Sequence, residues 1–148
     1  GAGYIALNAG IACGATYVIK SEIPYDLDKV AKKMLESRKT GKQHFIIVVS
    51  EGVGHSDEIA RTLQDKTGIE ARTTILGHVQ RGGAPTVRDR VVASQMAYYA
   101  VELLSQGIGN RVVGMQNSKI VDFDIQEALS MKKPFEEELY HIAGEIAF

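Results

Sequence analysis

The chain has 148 residues, of which 45% are hydrophobic and 24% charged, and its 17 basic and 18 acidic side chains leave a net charge of −1. That length supports one ordinary core, and that composition excludes both a disordered and a fibrous chain. A balance so close to neutral excludes a global field that would draw the chain to nucleic acid or to an anionic membrane, so any anion site has to be local.

The single cysteine, Cys13, has no partner for an intrachain disulfide and stands among small apolar residues. It reads as a buried thiol in a reducing compartment. No apolar run approaches the ~18 residues of a membrane span, and the opening "GAGYIALNAGIACG" lacks the basic region of a signal peptide, so the cytoplasm is the default. That opening enters small and apolar residues at once, without the polar lead-in usual at a free terminus, and reads as a chain cut from something longer.

In chain order, residues 3–12 read as a small-residue helix ending near Gly14, and "ATYVIK" (15–20) as a short strand. Asp26 is placed to cap a helix whose Leu27, Val30, Ala31, Met34 and Leu35 share one face, with Gly41 beyond its end. "HFIIVVS" (44–50) is the β-branched run of a strand buried on both faces of a parallel sheet. Ser56 is placed to cap a helix carrying Ile59, Ala60 and Leu63, which Gly68 ends, and "EARTTILG" (70–77) reads as the next strand. A longer helix over 86–105 turns Val87, Val91, Val92, Met96, Tyr99, Ala100, Leu103 and Leu104 inward. "RVVGMQ" and "KIVDF" flank a tight turn at Asn117-Ser118, and Pro134 introduces a last helix over 135–147. Strand and helix alternate, which predicts an α/β layered fold with a mostly parallel sheet and helices on both faces. No internal repeat or low-complexity linker interrupts it.

In open parallel sheets ligands bind beyond the carboxyl ends of the strands. Two such ends carry chemistry here. Glu51 follows one strand in "IIVVSEGVG", where a carboxylate, which only accepts hydrogen bonds, suits the hydroxyls of a sugar. His78 and Arg81 follow another in "TTILGHVQRGG", among Gly77, Gly82 and Gly83. A guanidinium fork grips phosphate oxygens in pairs, histidine adds a donor, and glycines remove obstruction, so this loop is a candidate phosphate pocket. Arg88 and Arg90 begin the following helix, where they oppose its dipole; a solvated or salt-bridged helix start is the simpler account of them. No G-x-x-x-x-G-K-[ST] loop occurs, and His44, His55 and His141 lack metal-ligand spacing, so no nucleotide or metal site is assigned from spacing.

"LGHVQRGGAPTVRDR", with "EGVG" upstream and "RVVGMQNSKIV" downstream, resembles the second half of the bacterial ATP-type 6-phosphofructokinases, and the likeness runs through essentially the whole chain. The resemblance implies a homotetrameric enzyme that phosphorylates fructose 6-phosphate at O1 with magnesium-ATP. It implies that Glu51 contacts the sugar, that His78 and Arg81 hold the 6-phosphate, and that Arg72, within a strand, reaches into a neighbouring subunit's site. The glycine-rich ATP loops and the catalytic aspartate of such enzymes belong to a first half that this sequence lacks. Residues 1–79 and 131–148 would form the sugar-phosphate domain and 80–130 would pack on the ATP domain. An effector site between subunits would use Gly14 and Lys42, but Thr16 and Thr40 are neutral where the family carries a glutamate and a cation, which implies weak or altered effector control. A rival reading is a non-catalytic sugar-phosphate-binding or subunit-interaction module.

Overall fold

A computed structural model describes residues 3–147. The chain divides into two compact units. Unit 1 takes the described residues up to Ile75 together with those from Phe135 on, and unit 2 is Leu76–Pro134.

Unit 1 is built on two parallel strands, β1 (Tyr17–Ile19) and β2 (Ile47–Val49), paired Tyr17 to Ile47, Val18 to Val48 and Ile19 to Val49. Side chains alternate across a strand, so the odd positions face one way and the even ones the other. On the odd face, Ile19 joins Val30, Ala31 and Met34 of α2 (Leu27–Lys39) and Ile59 and Leu63 of α3 (Ser56–Thr67), with Tyr17, Ile47 and Val49 packed alongside. On the even face, Val18 and Val48 pack with Ala6 and Ala15, against α1 (Tyr4–Ala12). A β-carbon at Gly10 would fall 2.4 Å from Val18 Cγ2, so α1 lies this close to β1 only because position 10 is glycine. The layered α/β expectation, with helices on both faces, is met here.

The strand ends differ from expectation. β2 spans three residues rather than seven and is half-buried, and 70–77 forms no strand. Both departures have one cause. The sheet has two strands, so the far edge of β2 has no neighbour, and β propensity becomes a strand only where a ladder forms. In the segment 70–77, the Ala71 N–H instead goes to Gln64 Oε1 at 2.9 Å.

Helix ends follow the caps read from sequence with two shifts, one at Ser56 and one at the last helix, which starts at Glu137 after a Glu136 cap and so leaves Pro134 outside it. Asp26 accepts the Asp28 N–H at 2.8 Å, and Gly68 ends α3 at φ 67°. Ser56, expected as a cap, is instead the first helical residue, and His55 precedes it in the left-handed region at φ 50°. Cys13 is exposed, not buried, because α1 ends there and its thiol turns back only toward the Gly10 carbonyl. The last helix, α6 (Glu137–Glu145; α4 and α5 belong to unit 2), is tied back to unit 1 by Lys33 Nζ, which donates to the Gly144 carbonyl.

Unit 2 contains α4 (Val87–Ser105), the antiparallel hairpin of β3 (Arg111–Gln116) and β4 (Lys119–Asp124), and the short α5 (Ile125–Ser130). Asn117 and Ser118 both take positive φ, 49° and 61°, as a tight two-residue hairpin turn requires. Thr86 caps α4 in a reciprocal box: its hydroxyl oxygen accepts the Asp89 N–H, and Asp89 accepts the Thr86 N–H at 2.8 Å. Of the α4 residues expected to face inward, Val92, Met96, Tyr99, Ala100 and Leu103 are at least partly covered. Val87, Val91 and Leu104 are exposed, because at 3.6 residues per turn Val87 and Val91 fall on the far side of the helix from Met96 and Leu103, and Leu104 falls on its flank. Asp122 joins the two layers, accepting from Tyr99 Oη at 2.7 Å and from Arg111. Those two hydrogen bonds, Tyr99 first, hold its carboxyl below the usual range. α5, absent from the sequence reading, starts at Asp124, whose carboxylate accepts the Gln126 N–H at 2.8 Å.

Candidate functional site

Glu51 opens a 3-10 turn, Glu51–Val53, directly after β2. Its position is fixed through Ser50, whose N–H donates to the Ile19 carbonyl at 2.9 Å and whose hydroxyl accepts the Ser21 N–H at 3.3 Å. The carboxyl ends of both strands thus meet at one edge, and Glu51 stands on it, exposed, its carboxylate without a hydrogen bond or ion pair from the described residues. This is where ligands of parallel sheets bind.

Arg72 lies in irregular chain rather than in a strand. Its guanidinium gives two hydrogen bonds to Glu70 Oε1, at 3.0 and 2.8 Å, with both side chains exposed. A pair this exposed contributes at most about 1 kcal/mol, so a stronger anion displaces it at little cost.

His78 and Arg81 belong to unit 2, in the 3-10 turn Gly77–Arg81 rather than in an open loop. Three residues make a turn in this geometry, so positions i and i+3 eclipse, and His78 and Arg81 project on the same side. The backbone closes the turn through Val79 N–H to the Leu76 carbonyl and Gly82 N–H to the Val79 carbonyl, both at 3.2 Å. Gly82 leaves it at φ 89°, a conformation that a side chain disfavours. Neither His78 nor Arg81 is hydrogen-bonded or ion-paired through its side chain among the described residues. The sequence carried only the spacing, His78 and Arg81 three apart between Gly77 and Gly82, which sets them on one side once the segment is a 3-10 turn.

Arg88 and Arg90 are solvated rather than salt-bridged. The nearby carboxylate of Asp89 is occupied by Thr86, and the Thr86 N–H is the first cause of its lowered pKa. At the expected effector positions, Gly14 follows α1 at φ 65° and Lys42 is half-exposed after α2. Thr16 is buried, 1% exposed, with its hydroxyl unpartnered, while the Thr40 hydroxyl donates to the Ser37 carbonyl at 2.8 Å. A cavity of about 200 Å³ lies beside Thr16, between the β1 strand and α6, and includes Tyr140, His141 and Glu145. Among the described residues no three His, Cys, Asp or Glu side chains converge as metal ligands, and no helix is long and apolar enough to cross a membrane.

The fold alone defines a class: α/β chains with parallel strands, helices on both faces and polar groups at the strands' carboxyl edge. The phosphofructokinase family model matches residues 1–104, and the chain belongs to that family. It is 51% identical to an ATP-dependent 6-phosphofructokinase of Clostridium botulinum over 141 residues, 95% of this chain and 44% of the relative. It is 49% identical to the enzyme of the same name from Clostridium tetani over 146 residues, 99% of this chain and 46% of the relative. The crystal structure of Pichia pastoris phosphofructokinase in the T-state superposes with a TM-score of 0.74 at 28% identity, covering 98% of this chain and 16% of that one. The chain therefore spans less than half the length of the curated relatives it matches.

Proposed function

We propose that this chain is the fructose-6-phosphate-binding part of an ATP-dependent 6-phosphofructokinase. The observation that supports the reading is the 3-10 turn, in which side chains three apart eclipse, with neither the His78 imidazole nor the Arg81 guanidinium hydrogen-bonded or ion-paired among the described residues. Two unpaired cationic or protonatable groups aimed together suit a phosphate dianion, whose oxygens accept several charged hydrogen bonds at once. Glu51, on the carboxyl edge of the strands, accepts from the sugar hydroxyls. Arg72, held only by exposed Glu70, exchanges that partner for the substrate phosphate of a neighbouring subunit in a homotetramer.

Residues 1–79 and 131–148 serve as the sugar-phosphate domain, and 80–130 pack on an ATP-binding domain outside this chain. Magnesium-ATP is held mainly by that domain and supplies the phosphoryl group. The described residues contain no ligand set for the metal, so no step through it is assigned to them. Alone, the 148 residues bind the sugar phosphate without turning it over; joined to the remainder of the enzyme, they take part in glycolysis in the cytoplasm. Effector control through Gly14 and Lys42 is weak, because Thr16 and Thr40 bring no charge to that site.

Calorimetric titration with fructose 6-phosphate tests the reading. A charged hydrogen bond contributes about 1.5–3 kcal/mol, so Arg81→Ala should weaken binding roughly 10- to 150-fold, while Arg88→Ala should change it less than about twofold. Equal losses from the two substitutions would remove the basis for the site.

A further inference from the structure

Lys20 ends the run that begins with β1, and it is 1% exposed, the largest fully buried side chain among the described residues. Its Nζ has no hydrogen-bond partner. An ammonium taken from water without compensation is strongly unfavourable, so other groups have to hold it. Two aromatic faces do: Nζ lies 4.4 Å from the centroid of the Phe135 ring and 5.5 Å from that of Tyr4. Both lie within the ~6 Å over which a ring quadrupole attracts a cation, an attraction that grows when water is excluded.

The stem of the lysine is equally constrained. A β-carbon at Gly3 would sit 2.4 Å from Lys20 Cε and 2.9 Å from Cγ, so the bare backbone at Gly3 is what admits the side chain. Two residues on, Glu22 accepts the Gly3 N–H at 2.6 Å and the Ser21 hydroxyl at 3.2 Å. That N–H is the main reason the Glu22 carboxyl titrates low, and the Lys20 charge adds to it. Three separate stretches therefore meet on one cation: Gly3–Tyr4, the end of β1, and Phe135, where the chain returns to unit 1. The adjacent Ser21 N–H donates to Ser50, the residue before Glu51.

We propose that Lys20 is a positioning residue that pins two stretches of unit 1, Gly3–Tyr4 and the point at Phe135 where the chain re-enters the unit, against the strand edge that carries Glu51. A salt bridge fixes one partner on one side, whereas a cation between ring faces holds two segments and leaves the Glu22 carboxylate for Gly3. The pin itself stands on this geometry; only its consequence for Glu51 rests on the sugar-phosphate reading above.

Hydrogen exchange followed by mass spectrometry on the 148-residue chain and its Lys20→Met variant tests it. Methionine keeps most of the stem volume and removes the charge. Peptides covering 3–8 and 133–140 should exchange roughly tenfold faster, the loss of about one desolvated cation–π contact, while those covering α3 stay unchanged. The Glu22 carboxyl should also titrate higher in the variant. Uniform acceleration, or none, overturns the pin. Should Lys20→Met fail to fold, Glu22→Gln leaves the lysine packed and should loosen peptide 3–8 alone; a uniform response there overturns it equally. Titration with fructose 6-phosphate separates the two claims. Weaker binding by Lys20→Met supports the link to Glu51, unchanged binding refutes that link, and a parent chain giving no heat refutes the sugar reading while the exchange pattern still decides the pin.

Discussion

Unit 1 and unit 2 are held together by different means. In unit 1 a parallel pair is sandwiched between helices, and its buried apolar residues include Ile19, Val30, Met34, Ile59 and Leu63. In unit 2, Leu103 is the one buried hydrophobic among the described residues, and the element ends are fixed by a capping box, a positive-φ turn and the Asp122 hydrogen bonds. Parallel strands cannot pair until a crossover has brought them together, so they depend on long-range burial. A hairpin and a capped helix are specified by neighbours a few residues away. One chain thus combines a unit that burial holds with a unit that local signals hold.

The largest test of that contrast is truncation. Leu63→Ala in unit 1 should cost about 2–5 kcal/mol in denaturant unfolding, whereas Val101→Ala on the exposed face of α4 should stay within about 0.5 kcal/mol. Comparable losses would mean that unit 2 hides a core of its own. Thr86→Ala removes the cap of α4 and should cost about 1 kcal/mol, with faster amide exchange confined to the helix's first turn. Ser118→Gly should do the opposite and stabilise the hairpin by on the order of 0.5–1 kcal/mol, because glycine meets the positive φ without strain. An unchanged melting midpoint would show that the turn does not limit unit 2.

The last effect is confined to alkaline pH. Burial first, and the Tyr17 hydroxyl after it, push the Tyr140 phenol up to about 12. A raised folded-state pKa contributes stability that is fully present below the unfolded value near 10 and is lost as pH rises through about 12. The alkaline side of a stability profile should therefore flatten in Tyr140→Phe, and a profile identical to the parent's would locate the loss elsewhere.

The split between burial and local signals also sets what the sequence could tell. Asp26, Gly68 and Asn117-Ser118 announce their elements because each acts on its own backbone within a few residues, whereas Thr86, read as the first residue of its helix, is its cap. The run 70–77 misleads because its Thr and Ile residues suit a strand, but no neighbouring edge accepts it. Cys13 reads as buried from its chemistry, and Val87 and Leu104 from a helical face drawn too wide; neither signal says whether anything covers a residue. At the candidate site, Glu51 was legible because it follows an apolar run. That His78 and Arg81 share a side needed the turn, which two positive-φ glycines bound. Lys20 could not be read at all: its aromatic partners lie sixteen residues before it and more than a hundred after it.

Unit 1 is discontinuous, and its two stretches are separated by roughly 60 residues of unit 2. Bringing the ends of such a stretch together costs about 3.6 kcal/mol of closure entropy if it is flexible, by the logarithmic loop law. Less of that cost remains once the intervening hairpin and helix have formed and shortened the path. Synthesis proceeds from the amino end, so α1, both strands, α2 and α3 leave the ribosome well before α6 exists. A ribosome stalled at Pro134 would carry a chain with Lys33 already made and neither α6 nor the Gly144 carbonyl that Lys33 holds in the folded unit.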